Sequence, residues 1–269
     1  MARWAPRSIA PPAAGLAALA RVAPEVRRTT HGGPFAVAFV ALLTGAAPGA
    51  LAQPGPLVSA DGALGAGWRE AGLPQQRPPM TRFTAGTFDG RAAVRVQAEA
   101  SYGHLVFDLP GQRVAPGLRW SWRLERANGA VDLASKAGDD AAAKVCLAFD
   151  LPLQRVPFME RQLLRLARSK TGENLPAATL CWVWGHAEPR DALIANPYSR
   201  RVRVIVLRNR DDALNRWWDE ERDIAADWRR AFGDESAEVP PLLAVIVGAD
   251  ADNTGGHSVA HVTGLRFAP

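Results

Sequence analysis

The segment Asp250-Ala251-Asp252-Asn253-Thr254-Gly255-Gly256 gathers two carboxylates, an amide and a hydroxyl within five residues. Asp at the first and third places with Gly at the sixth opens like a calcium loop. Oxygen ligands at alternate positions suit a hard cation, and the glycine permits the turn. The pattern then departs, because Thr254 holds the fifth place and His261, not Glu, the twelfth. The competing interpretation is a turn in which Asp250, Asp252 and Asn253 bond their own backbone. Asp139-Asp140 is a second acidic point, just ahead of a strand-like run. Glycoside hydrolysis uses two carboxyl groups about 5–10 Å apart across a cleft. Asp139, Asp140, Asp250 and Asp252 are therefore candidates for ligand binding or acid/base work if their loops converge, with Asn253 a further ligand-binding candidate and Asp250 and Asp252 the candidate calcium ligands.

Aromatic residues offer a different chemistry, since a ring on a sheet face can stack against the apolar face of a sugar. Trp120 and Trp122 share one face of a strand, and Trp182 and Trp184 share another, because strand side chains alternate. Arg119, Ser121 and Arg123 on the opposite face make the first pair a core pair. Cys181 and Val183 make both faces of the second strand apolar, so that strand is expected to be central. Trp184 at its end, before Gly185-His186, is left either in the core or at a groove. His104, His186, His257 and His261 are scattered without metal-ligand spacing. The sequence has no Gly-x-Ser-x-Gly elbow, P-loop or dinucleotide fingerprint.

Strand patterns place these groups. Short apolar or alternating runs bounded by turn residues predict strands over 93–99, 104–109, 118–125, 144–150, 178–184, 201–208, 242–249 and 258–267. Two helices are predicted, Pro157 to Arg168 and Asn215 to Gly233. In the second, Trp217, Ile224, Trp228 and Phe232 recur at helical spacing and Gly233 follows as a left-handed stop. Glu220, Glu221, Arg222, Asp223 and Asp227 are expected on its solvated face, with Asp219 pairing Arg222. Without regular helical crossovers, the strands predict a two-sheet antiparallel β-sandwich, jelly-roll-like, with two inserted helices. Cys146 and Cys181 lie in separate predicted strands. An exported chain with two cysteines is expected either to bond them or to bury two thiols.

Residues 35–53 carry the address. Arg21, Arg27 and Arg28 precede an apolar run of roughly 13 residues, shorter than the ~20 needed to span a bilayer. Ala50-Leu51-Ala52 then offers small residues for cleavage before Gln53. Residues 1–52 are thus expected to be a signal peptide, leaving a periplasmic or secreted protein of 217 residues without a transmembrane anchor. More than thirty residues ahead of the apolar run is long for such a signal, so translation is expected to start further downstream. Residues 53–79, rich in Pro and Gly, read as an irregular leader, and 80–269 as one domain. Most of the formal charge of +5 lies in the first 52 residues, in Arg3, Arg7, Arg21, Arg27 and Arg28 against Glu25. The remainder is close to neutral and carries no basic cluster of the kind that marks nucleic-acid binding.

From about Trp68 onward the order of features resembles a bacterial family known as domain of unknown function 3047. The residues that carry the likeness are Trp120-Ser121-Trp122-Arg123-Leu124, Asp139-Asp140 with Lys144 to Asp150, and Leu180 to Gly185. They continue through Asn196-Pro197-Tyr198, Glu220 to Gly233 and Asp250 to Gly255. The resemblance implies an exported β-rich domain and assigns no activity. Three functions stay open: a glycan or cell-envelope binding module, a polysaccharide- or peptidoglycan-active enzyme using the loop carboxylates, and a protein-interaction factor. Convergence of the two acidic loops with Trp184 in one cleft is the feature that favours the first two.

Overall fold

The computed structural model describes residues 53–73 and 76–269, so the export signal expected in residues 1–52 lies outside the described residues. Among the described residues, twelve strands and two helices make a two-layer sandwich. In the first sheet run, in spatial order, β1 (Trp68–Ala71), β4 (Tyr102–Gln112), β11 (Leu242–Asp250), β6 (Ala143–Phe149), β7 (Ala178–Trp184), β9 (Val202–Arg208) and β8 (Leu193–Ala195). The second sheet runs β10 (Trp217–Asp223), β5 (Gly117–Arg126), β12 (His257–Ala268), β3 (Arg91–Glu99) and β2 (Arg82–Phe88). The pairing is antiparallel except between β7 and β9. The chain from Gly185 to Arg201 crosses between those two strands, which is the length a parallel pair needs. Among the described residues no helix is long and apolar enough to cross a membrane.

The period of two sets the layers. Val145, Leu147 and Phe149 of β6 point between the sheets, while Lys144, Cys146 and Ala148 point outward. The core between the sheets is aromatic: Trp120 and Trp122 from one sheet meet Trp182 and Trp184 from the other, at centroid distances of 5.7 and 5.8 Å. Buried indoles take polar partners at their N–H ends. Trp122 donates to Glu220 and Trp182 to Asp227, at 2.9 and 2.8 Å. A second apolar layer covers part of the outward face of the seven-stranded sheet, where Val131, Leu133 and Ala141 pack over Cys146, Cys181, Val183, Val204 and Val206. Beneath it Cys146 and Cys181, facing each other across β6 and β7, are joined by a disulfide. With its ends 35 positions apart in the chain, the bridge stabilises the fold by about 4 kcal/mol in the chain-entropy model.

Four elements differ from expectation. β1 lies inside the segment expected to be irregular, and Leu57 and Trp68 are buried in the same core as the later strands. β2 and the three-residue β8 are half-exposed edge strands whose sequences carry little alternation. Most consequential is the expected helix over 215–233. Its first third is β10, paired with β5 from Trp217↔Arg123 to Asp223↔Gly117. Only then does helix α2 (Ile224–Phe232) begin, with the Asp223 side chain accepting from Ala226 N–H as its N-cap. The free edge of β5 offered a ladder that outweighed a helical spacing resting on Trp217 alone. Gly233 closes α2 in right-handed, not left-handed, geometry. The other helix, α1, spans Phe158–Thr171.

Candidate functional site

The polar residues that converge do so on the outward face of the seven-stranded sheet, where β4, β11 and β6 lie side by side. Register places His104 opposite Gly248, Gly248 opposite Lys144, and Tyr102 opposite Asp250. Strand alternation then puts all five residues on one face. Gly248 is the floor: a Cβ there would lie 2.5 Å from His104 Cδ2 and 2.7 Å from the Gly103 carbonyl. Only a glycine lets the imidazole lie across β11. Tyr102 packs edge-on against His104 at 4.8 Å, and the Lys144 ammonium sits 5.0 Å from the centre of the Tyr102 ring.

Lys144 is the electrostatic centre. Its Nζ donates to Asp250 Oδ2 at 2.6 Å, and Asp250 Oδ1 accepts the Ala141 N–H at 2.7 Å. Burial pushes the ammonium down, but Asp250 and Tyr102 outweigh it and hold the lysine above its usual value. Burial raises the Asp250 carboxyl against the pull of Lys144, and it pushes the Tyr102 phenol up to about 12. Burial and the neighbouring lysine charge hold His104 well below its usual value, so its imidazole is neutral.

The two acidic loops meet above this patch. Asp140 is consumed by the contact. Its Oδ1 accepts from Asn253 N and Nδ2 at 3.2 and 3.3 Å, and its Oδ2 from Thr254 N and Oγ1 at 2.9 and 2.5 Å. Asn253 Nδ2 also donates to the Asp139 carbonyl at 3.0 Å. Asp139 itself accepts from Asn196 Nδ2 at 2.5 Å. Burial, with Asp250 nearby, pushes its carboxyl up to about 6. Asp252 is also raised, by burial and then by Asp250 and Asp140, and its Oδ1 has no hydrogen-bond partner. The rim is completed by Tyr198, 58 % exposed, whose hydroxyl bonds Asn253 Oδ1 at 2.7 Å and the Lys136 carbonyl at 3.1 Å.

Carboxylate oxygens of Asp140, Asp250 and Asp252 lie within 4.8 Å of one another. A calcium ion takes six to eight oxygens. Here both oxygens of Asp140 and both of Asp250 already accept from protein donors, and the Lys144 ammonium supplies the local positive charge. This donor set fits the lysine better than a calcium ion. Sequence reasoning named Asp139, Asp140, Asp250, Asp252 and Asn253 as candidates on two loops and left their convergence open, and in the structure these five lie together. Trp184 is not with them: it is 1 % exposed, packed on Trp122, with its indole N–H on the Asn209 carbonyl. Both faces of β7 are covered, so no edge of that ring meets a groove. Tyr102, His104, Lys144 and Tyr198 were not singled out as site residues. The available signal was Lys144, one of three lysines in the chain, standing in the otherwise apolar run Ala143 to Phe149.

Glu220 and Asp227, expected on a solvated helix face, are instead partners of buried groups. Asp227 accepts from both Arg222 and Trp182, and Glu220 from Arg208 and Trp122. Asp219 bonds Ser121 and pairs with Arg91 rather than Arg222.

Among solved structures, endoglucanase 3 of Trichoderma harzianum, from family GH12, is similar with a TM-score of 0.39 and 9 % identity, covering 76 % of this chain and 98 % of that one. Endoglucanase cel12A of Rhodothermus marinus gives a TM-score of 0.38 and 12 % identity, covering 80 % and 96 %. Both likenesses are loose in superposition and in sequence. No curated protein matches the chain. The family model described as "Protein of unknown function (DUF3047)" matches residues 66–266, which span both sheets, both helices and every residue of the Lys144 patch, and the chain belongs to that family.

Proposed function

We propose that the protein is an exported module that binds a glycan or a similarly polyhydroxylated cell-envelope component at the rim above Lys144. Tyr198 carries this reading. An exposed aromatic ring whose hydroxyl is fixed by two acceptors is held in place before any ligand arrives, so little side-chain entropy is lost on stacking. Asp139 and Asp252 lie along the same rim and supply carboxylate acceptors for sugar hydroxyls, while Asn253, its amide spent on Asp139, Asp140 and Tyr198, holds the rim together. Shape and polarity, rather than a deep apolar pocket, are what such a surface offers.

The test is thermal melting across a panel of glycans. A ligand that binds the folded state alone adds about 2.7 kcal/mol of stability at a hundredfold excess over its Kd. One glycan class is expected to raise the melting temperature, and Tyr198→Ala to abolish the rise without lowering the melting temperature of the free protein. A rise that survives Tyr198→Ala, or no rise with any class, overturns the proposal. Calcium and chelator are expected to leave melting unchanged, with Lys144 acting as the counter-ion. A rise with calcium that chelator reverses would make the Asp250 loop an ion site.

A second reading, an enzyme acting on such a glycan, is favoured by the carboxyl groups. Asp139 titrates at about 6, and Asp252 keeps an oxygen free of protein donors. Two carboxyl groups on one rim are the equipment glycoside hydrolysis uses, and burial raises both of these. If so, turnover of the glycan found by melting is lost in Asp139→Asn and in Asp252→Asn while binding persists. No turnover by the parent protein leaves the non-catalytic module, and turnover equal to the parent's in both variants takes the chemistry away from these two carboxyls.

A further inference from the structure

Helix α1 carries its apolar residues on the wrong side for a globular fold. Leu164 is its one buried side chain, whereas Phe158, Met159, Leu163 and Leu166 are 62, 69, 64 and 51 % exposed. Met159, Leu163 and Leu166 recur at spacings of four and three and form one stripe, with Phe158 beside it. The same helix is basic. Arg161, Arg165, Arg168 and Lys170 face a single acid, Glu160, which is already paired with Arg200 and Arg201. Arg165 flanks the stripe and Lys170 continues it by a further four residues, both exposed.

We propose that α1 is a membrane-surface helix that lays its Phe158, Met159, Leu163 and Leu166 stripe into the interface of an anionic lipid bilayer. Phe and Leu on one face with Lys and Arg around them is the pattern of helices that lie in the headgroup region. Apolar burial holds such a helix, and the cations select anionic lipid. The charge argument is specific to this segment. Beyond residue 52 the chain is close to neutral, yet from Arg161 to Lys170 it has four cations and no acid. A protein partner or a second copy of the chain would cover the apolar stripe equally well, but neither calls for this clustered positive charge.

The test is co-sedimentation of the purified protein with phosphatidylcholine vesicles, with and without phosphatidylglycerol. The protein is expected to sediment with the phosphatidylglycerol vesicles alone, and less so as salt rises. Arg165→Gln with Lys170→Gln is expected to lower partitioning roughly five-fold for each charge removed. Leu163→Gln with Leu166→Gln is expected to abolish it. Both leucines are exposed, so the melting temperature of that variant should match the parent, which separates lost binding from lost folding. Failure to sediment with anionic vesicles overturns the proposal. So does equal sedimentation with both vesicle types, or a dimer in solution that the leucine variant dissociates. Glycan-induced melting shifts are expected to be unaffected by either variant, so this proposal and the proposed glycan site fail independently.

Discussion

The region around α2 and the patch around Lys144 both bury carboxylates, and they balance charge in opposite ways. Near α2 each buried acid has at least one guanidinium of its own. Asp227 takes both arms of Arg222 at 2.7 and 2.8 Å, and Glu235 takes Arg201 and Arg203 at 2.6 Å each. At the patch, Asp139, Asp250 and Asp252 all draw on Lys144, which bonds Asp250 alone, and Asp140 has no cation of its own. Planar guanidinium forks match carboxylates arm for arm and fix geometry. One ammonium cannot neutralise four carboxyls, and burial, reinforced by the neighbouring carboxylates, raises Asp139 and Asp252. The first arrangement suits holding a fold together. The second leaves electrostatic energy uncommitted, which is a mark of sites that bind or react.

The largest effect that sharpens this contrast is expected at α2. Asp227→Ala leaves the buried Trp182 N–H without an acceptor and takes the bidentate partner from the half-buried Arg222, and should cost about 3–5 kcal/mol in urea unfolding. A loss below 1 kcal/mol would show that the α2 pairs are not structural, and the comparison would collapse.

At the patch, Gly248→Ala should cost about 1–3 kcal/mol, because the new methyl displaces His104. It should also weaken glycan binding, since the imidazole and Tyr102 move together. Unchanged stability and binding would remove His104 from the site.

Asp139→Asn gives the smallest and most diagnostic effect. A carboxyl titrating near 6 in the folded state and near 3.8 when unfolded binds more protons folded than unfolded between those values. Stability of the parent protein therefore falls as pH rises from about 4 to 6. The variant lacks that proton uptake. It should match the parent below about pH 4 and exceed it above pH 6, with the gap opening between. A gap that is constant with pH would mean that Asp139 is not raised and that the surplus negative charge is dispersed elsewhere.

Parts of this contrast were visible in the chain and parts were not. The acidic loops stood out because two Asp pairs flank strand-like runs, and a turn at a sheet end is where such residues can point into one space. Lys144 passed as a strand residue, since a lone cation in an apolar run has no meaning until its partner is known. Asp227 looked solvated for the same reason: helical spacing put it among charged neighbours, and only β10, pairing where helix was expected, turned Arg222 and Trp182 toward it.

The sequence by itself determined the layers. Alternation of apolar and polar residues is local, so it settled which faces of β3 and β5 are buried and that the tryptophan pair on β5 lies in the core. It also marked most strand boundaries and left Cys146 and Cys181 in strands able to bond. Only the tertiary structure decided strand order, and with it everything that depends on which strand lies beside which. Putting β11 between β4 and β6 is what brings His104, Gly248 and Lys144 into one row, sets Asp250 against Lys144, and closes the Asp139 and Asp252 loops over them. Those residues are separated by up to 148 positions along the chain. No local pattern couples positions so distant, because their interaction energy exists only once long-range strand pairing has formed.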